Sequence, residues 1–236
     1  EFVVNELLTS ESQESLNDKC LNTDNNYSSW LGSSQGEDAN QTISTFQNKF
    51  PDWVIVDHYS LGQVWEKKIR PHVRKIMMID DLANRVHDCD LLLDQNYFIE
   101  VESRYEGLVS PTCTKLLGPR YALLRPEFLK ARKLKKFNTR KYKRVFVFFG
   151  GADHDNVTGK AIEALSFPEF VHLNVDVVIG AQSPHRSEIE RQVKKRPDTN
   201  LHFQVENISE LMMQADFAIG AGGVTTLERL CVGLPS

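Results

Sequence analysis

Cysteine is scarce and scattered. Cys20, Cys89, Cys113 and Cys231 are the four in 236 residues, and no two stand in a CxxC pair. That spacing argues against a zinc site or a redox motif and reads as reduced thiols in a cytoplasmic protein. Long apolar runs are missing, and none approaches the ~18 residues that mark a membrane span. No stretch has the basic, apolar and small-residue order of a secretion signal. A formal charge of -4 gives no reason to expect nucleic acid or a membrane as partner. G-x-S-x-G, the Walker A loop and H-E-x-x-H are also absent, which leaves the chemistries they serve without a motif. Asn26, Asn40, Asn156 and Asn207 each begin an N-x-S/T triplet. Without an export signal these read as accidental. What remains is an ordinary globular balance, 41% hydrophobic and 25% charged, in a length that suits one large domain or two small ones.

Residues 1–48 are polar. Glu6-Leu7-Leu8 suggests a helix, 9–28 a loop, and Glu37 to Phe46 has helical spacing with Ala39, Ile43 and Phe46 on one side. The character changes after Pro51. Trp53-Val54-Ile55-Val56-Asp57 reads as a buried parallel strand. A helix follows over Leu61 to Ile69, then strands over Lys75 to Asp80 and Asp90 to Asp94. This rhythm predicts a doubly wound α/β domain, closed by the turns and short apolar pieces of Val109 to Pro126. Residues 130–144 contain nine Lys or Arg. They read as a solvated linker, with an anionic-ligand or nucleic-acid patch as the alternative. From Arg144 the rhythm restarts. Strands over Val145–Phe149, Val175–Ile179, Leu201–Val205 and Phe217–Ile219 alternate with helices over Asn156–Leu165, Ser187–Lys195, Ile208–Gln214 and Thr225–Val232. Gly233 and Pro235 end the last helix. The expected fold class is α/β with two Rossmann-like domains: 1–128, a basic linker over 129–143, and 144–236.

Ala218-Ile219-Gly220-Ala221-Gly222-Gly223-Val224-Thr225-Thr226-Leu227-Glu228 is the richest segment. A strand runs into a glycine turn and then a helix. Backbone N–H groups there can approach a ligand closely, and the helix start adds about half a positive charge, so the segment suits a diphosphate. Thr225 and Thr226 can cap the helix or bond phosphate oxygens. Glu228, one turn in, can accept ribose hydroxyls. The alternative is a tight turn with an exposed Glu. Gly150 and Gly151 form a second strand-to-helix turn, at the same edge of a doubly wound sheet. Asp153-His154-Asp155 offers either helix capping or a weak metal set. In the first domain Asp57-His58-Tyr59 ends a strand. Tyr59 can bond a sugar or phosphate and His58 can move protons, or the three form a buried polar cluster. Asp80-Asp81 allows the same two readings.

These segments carry a resemblance. Pro51 to Tyr59, Ile79-Asp80-Asp81-Leu82-Ala83, Cys89 to Asn96, Leu116 to Pro126, Phe149-Gly150-Gly151-Ala152-Asp153 and Gly220-Ala221-Gly222-Gly223 together resemble the UDP-2,4-diacetamido-2,4,6-trideoxy-β-L-altropyranose hydrolases of pseudaminic acid biosynthesis. The likeness covers most of 29–236. It implies a GT-B-like fold and hydrolysis of a UDP-sugar, with UDP as leaving group and inversion at the anomeric carbon. By motif, Gly222, Gly223, Thr225 and Thr226 would hold the diphosphate, Glu228 the ribose, and Tyr59 would touch the sugar; Gly150, Gly151 and Val224 are further candidates for binding UDP. The partner implied is a UDP-sugar, bound by a cytoplasmic monomer without a cofactor, a divalent metal such as Mg being left open. The family also has a glycine-rich turn bearing a general-base His near its N-terminus. Here the first glycine is Gly32 and the first histidine is His58, which makes His58 the fallback base. The chain starts without Met and stops at Gly-Leu-Pro-Ser. The expectation is a first domain incomplete at its N-terminus, a second incomplete at its C-terminus, and little turnover by this chain alone. A glycosyltransferase of the same fold and a non-catalytic UDP-sugar-binding module are the rival functions.

Overall fold

The computed structural model describes residues 27–47, 49–135 and 143–236. The chain divides into two compact units, with the break between Ala122 and Leu123. Both are α/β, and each carries a four-stranded parallel sheet. The segments read from sequence at 1–26 lie outside the described residues.

In the first unit, α1 (Gln35–Thr45) begins with a capping box. The Ser34 hydroxyl accepts the Glu37 N–H at 3.2 Å and the Glu37 carboxylate accepts the Ser34 N–H at 3.0 Å. Two helix-end donors are satisfied in this way. β1 (Trp53–Val56), α2 (Gln63–Ile69), β2 (Lys75–Ile79), β3 (Leu91–Asp94) and β4 (Thr114–Leu117) follow, with sheet order β1-β2-β3-β4. Gly62 gives α2 no side-chain cap. The Gln35 amide oxygen substitutes, accepting the N–H groups of Gly62 at 3.2 Å and Trp65 at 3.3 Å. Val56, Ile76, Met78 and Leu92 pack with Trp65, Ile69 and Ala39 in one core. Each large apolar side chain buried there contributes about 1.5–3 kcal/mol. The register pairs Val56 with Met78, Ile79 with Leu93 and Asp94 with Leu117. The strands therefore end together, and the residues after each share one edge.

β4 lies inside the stretch expected to hold only turns and short apolar pieces. It is an edge strand of four residues, half of them polar and exposed, so its apolar signal is weak.

The second unit opens with α3 (Pro126–Leu134), followed by β5 (Arg144–Phe148), α4 (Val157–Leu165), β6 (Asn174–Ile179), α5 (Arg186–Lys195), β7 (Thr199–Phe203), α6 (Ile208–Gln214), β8 (Phe217–Gly220) and α7 (Val224–Val232). α3 corrects the expectation of a basic linker starting at 129. Pro126 pre-sets its first turn, and Phe128 and Ala131 bury one face against Met212 and Val232 while the basic residues face water. Lys135 then donates to the carbonyls of Met212 at 3.1 Å and Ala215 at 3.2 Å. Residues 136–142 of the basic stretch lie outside the described residues.

The order of the second sheet is β7-β6-β5-β8. The chain steps outward from β5 to β6 and β7, then returns to lay β8 on the other side of β5. Val145, Val147, Val175 and Val177 face Ile162 and Ile189, while Phe146, Val178 and Ala218 face Phe128 and Met212. Both faces are covered, as a parallel sheet requires. β7 begins two residues before its expected start at Leu201 because Thr199 and Asn200 pair with Val175 and Asp176.

Candidate functional site

In an open parallel sheet, ligands bind beyond the carboxyl ends of the strands where the winding reverses. In the second unit that point lies between β5 and β8. Phe148 pairs with Gly220, so the turn through Gly150 and Gly151 and the turn through Ala221, Gly222 and Gly223 leave from adjacent strand ends. Nothing stands within 4 Å of where a side chain would begin at Gly150, Gly151, Gly222 or Gly223. Gly150 has φ 91° and Gly223 φ 90°, values that glycine adopts without strain.

The helices behind the two turns differ. At α4, Asp153 accepts the N–H groups of Val157 and Thr158, both at 2.9 Å, and the Asn156 side chain accepts that of Gly159 at 3.1 Å. Asp153 therefore caps a helix. Burial raises its carboxyl, but these bonds outweigh that and hold it below the ordinary value. Among the described residues no group of three His, Cys, Asp or Glu is arranged to hold a metal ion. At α7 the residue before the helix is Gly223, with no side-chain cap.

The threonines also separate. Thr226 Oγ1 donates to the Ala221 carbonyl at 3.3 Å and accepts from Arg229 Nη2 at 3.1 Å, so it braces its own turn. Thr225 is half-buried. Glu228 is not the exposed residue of the bland alternative: its side chain is 12% exposed and its carboxylate lies 3.7 Å from Arg125. Burial lifts its carboxyl above the ordinary value, against the pull of Arg125. Sequence reasoning missed Arg229, which is 3% exposed. Arginine is rarely buried, and the one hint was its position three residues after Thr226 on a helix.

In the first unit, Asp57 is exposed and His58 and Tyr59 are half-buried. His58 Nδ1 accepts the Ser60 N–H at 3.1 Å. In the neutral ring Nε2 therefore carries the proton. In that tautomer His58 offers a donor at Nε2. The Tyr59 ring lies 4.9 Å from Tyr27 and 6.0 Å from Trp30. Burial, then the charge and hydrogen bond of Asp81, push its phenol up to about 12. Tyr59 is thus a neutral donor at ordinary pH. Asp80 turns inward, paired with Arg85 at 2.7 Å and accepting the Ala83 N–H at 2.9 Å. Asp81 stays at the rim, accepting from the Asn96 amide at 3.0 Å. A separate cleft of about 310 Å³ lies beside the edge strand, lined by Tyr97, Lys115, Arg120 and Tyr121 among others. None of the sequence candidates lines it. Cys89 and Cys113, far apart in sequence, have sulfurs 3.6 Å apart and remain free thiols.

Comparison with known proteins adds a chemical context. No family model matches the chain. A spore coat polysaccharide biosynthesis protein, SpsG, of Bacillus subtilis is 34% identical over 122 residues, 50% of this chain and 35% of that protein. A UDP-2,4-diacetamido-2,4,6-trideoxy-beta-L-altropyranose hydrolase of Campylobacter jejuni is 29% identical over 185 residues, 78% of this chain and 64% of the hydrolase. One relative is thus named for polysaccharide biosynthesis and another as a hydrolase of a UDP-sugar. An uncharacterized protein of Methanocaldococcus jannaschii is 27% identical over 206 residues, 84% of this chain and 42% of that protein. The chain spans less than two thirds of each relative's length. No described helix is long and apolar enough to cross a membrane.

Proposed function

We propose that the second unit binds the UDP moiety of a nucleotide sugar, and that the protein hydrolyses it to UDP and a free sugar with inversion at the anomeric carbon. The observation that carries this is the pair of open glycine turns on adjoining strand ends at the switch point, one of them opening a helix with no side-chain cap. Such a place offers backbone donors and a helix start to an anion. The relative named as a UDP-sugar hydrolase supports the choice of nucleotide and of reaction. The sugar, a 2,4-diacetamido-2,4,6-trideoxy hexose, rests on that relative and on the sequence resemblance. The GT-B-like arrangement is part of the same proposal.

In the reaction, a water oxygen forms the new bond to the anomeric carbon as the bond to the phosphate oxygen breaks. UDP leaves with that electron pair, and the water proton passes to a general base. The departing diphosphate gathers negative charge. The donors of Gly222, Gly223 and Val224 on the start of α7 suit that charge and need no reorganisation. Thr225 adds a hydroxyl, and Glu228 accepts ribose hydroxyls. The His58 Nε2–H is a donor suited to a sugar, and the Tyr59 oxygen, its proton turned to Asp81, is an acceptor for one.

The deciding experiment is a calorimetric titration of UDP into the chain, with Glu228→Ala beside it. Saturable binding that weakens in the variant is expected, and a folded chain that takes up no UDP overturns the reading. With the whole protein and a UDP-sugar, product analysis separates hydrolysis, which yields free sugar, from transfer to an acceptor.

A further inference from the structure

Gly220 ends β8, and a Cβ there would meet Arg229 Nη1 at 2.5 Å and the Phe148 carbonyl oxygen closer still. The guanidinium occupies the space that the missing side chain leaves. Its Nη2 donates to the Ala221 carbonyl at 3.0 Å and to Thr226 Oγ1 at 3.1 Å. Thr226 in turn donates its N–H to the Gly223 carbonyl at 2.9 Å. One cation thus ties the glycine turn to the first turn of α7. Its Nε and Nη1 are buried and have no protein partner. A buried cation with unmet donors is costly, and native structures retain one where another group completes it. The carboxylate acting on it is Glu228, the neighbouring residue on the same helix.

We propose that Arg229 is a positioning residue and buried counter-charge for a diphosphate seated on the glycine turns. This rests on the nucleotide reading of the same site. Its bond to the Ala221 carbonyl fixes how the turn presents its N–H groups. Its charge, set back from solvent and thinly screened, is balanced when an anion arrives above Gly222 and Gly223. A guanidinium serves this better than an ammonium because its fork reaches Ala221 and Thr226 from one nitrogen and leaves two more nitrogens, with three N–H donors, unused.

The test is UDP affinity by calorimetry and uridine binding by saturation-transfer NMR, for the wild-type chain, Arg229→Met and Arg229→Lys, with a thermal melt of each. Arg229→Met is expected to weaken UDP by about 10- to 100-fold, as the turn loses the charge-assisted bond at Ala221 that sets its N–H groups and the diphosphate loses its counter-charge. Uridine binding should stay within about twofold, and Arg229→Lys should fall between Met and wild type. If Arg229→Met fails to fold, Arg229→Lys carries the test. Unchanged UDP affinity in folded variants overturns the proposal and leaves the nucleotide reading standing. UDP and uridine weakening together, with a lower melting temperature, makes Arg229 a structural brace only and also overturns it. A folded wild-type chain that takes up no UDP removes the nucleotide reading, and this proposal with it.

Discussion

Gly180, just past the end of β6, rests on the backbone of Gly151: a Cβ at position 180 would stand 2.6 Å from the Gly151 Cα and nearer still to its carbonyl oxygen. The glycine turn after β5 therefore takes its position partly from a residue that does not belong to it. Gly180→Ala must push that turn aside, because neither backbone can yield cheaply. It should cost about 1–3 kcal/mol, the usual range for overpacking, and weaken UDP binding as well. Gly222→Ala should behave differently. Nothing lies within 4 Å of that site and its φ is not positive, so the melt should barely move while the methyl group intrudes on the cradle. Paired melts and UDP titrations check both. A stability loss in Gly222→Ala to match Gly180→Ala would mean that the space over the turn is not free.

Glu228 makes the second prediction, and its sign follows from burial. Its carboxyl sits above the ordinary value, so the folded chain holds this proton to a higher pH than the unfolded chain does. Ionised Glu228 thus lowers stability as pH rises through its folded value. Glu228→Gln should melt no lower than wild type at neutral pH. If the carboxylate accepts ribose hydroxyls, wild-type UDP affinity should fall on acidification at a pH above the ordinary carboxyl range. The Gln variant should bind more weakly and lack that acid limb. An identical pH profile in both proteins would take Glu228 out of the site.

The third prediction concerns a buried carboxylate pair in the first unit. The Tyr105 hydroxyl lies 3.0 Å from Asp80 Oδ2 and 3.0 Å from Asp94 Oδ2, with one proton for two buried carboxylates. Arg85 faces Asp80 at 2.7 Å and Arg104 faces Asp94 at 3.1 Å. Burial still raises the Asp94 carboxyl above its ordinary value. Tyr105→Phe removes the shared donor and should cost about 1–3 kcal/mol. Hydrogen exchange should locate the loss in β2, which Asp80 follows, and β3, which Asp94 ends. A loss spread evenly over both units would show that the network does not act locally.

The strands of the second unit were legible because a parallel strand covered on both faces has little choice but an apolar run, as in Val145 to Val147 and Val177 to Ile179. The glycine turns were legible because φ near 90° at Gly150 and Gly223 leaves few other residues. Their adjacency was visible only as a shared edge. That they leave neighbouring strands depends on β8 returning beside β5, a choice of sheet order that no local pattern encodes. α3 was hidden by its own surface, since basic side chains outnumber the two residues, Phe128 and Ala131, that hold it down. Arg196 was hidden in the same way as Arg229. It is 4% exposed, with its nitrogens on the carbonyls of Leu165, Leu173, Pro197 and Phe170. The donor role of His58 depends on which ring nitrogen meets the Ser60 N–H, a matter of loop geometry rather than residue type.

The fourth prediction tests a charge that is structural rather than functional. Asp176 on β6 is 1% exposed, with Arg144 Nε at 2.5 Å, His202 Nε2 at 3.0 Å and Asn200 Nδ2 at 3.3 Å. Burial alone would raise its carboxyl, but the hydrogen bonds from Arg144 and His202 outweigh burial and hold it below the ordinary value. An unfolded Asp takes up its proton near pH ~3.9, before the folded one does. The stability that Asp176 contributes is therefore fully present above that pH and is lost as pH falls through the depressed folded value. Asp176→Asn should lower stability by about 2 kcal/mol at neutral pH, where a charge-assisted bond is weakened, and should flatten the acid limb below pH ~4. Asp90 and Asp153 are depressed too, so some acid sensitivity should persist in the variant. Denaturant melts of both proteins across that window decide the matter: parallel acid limbs would mean that Asp176 carries no pH-dependent share of the fold, however well its partners are placed.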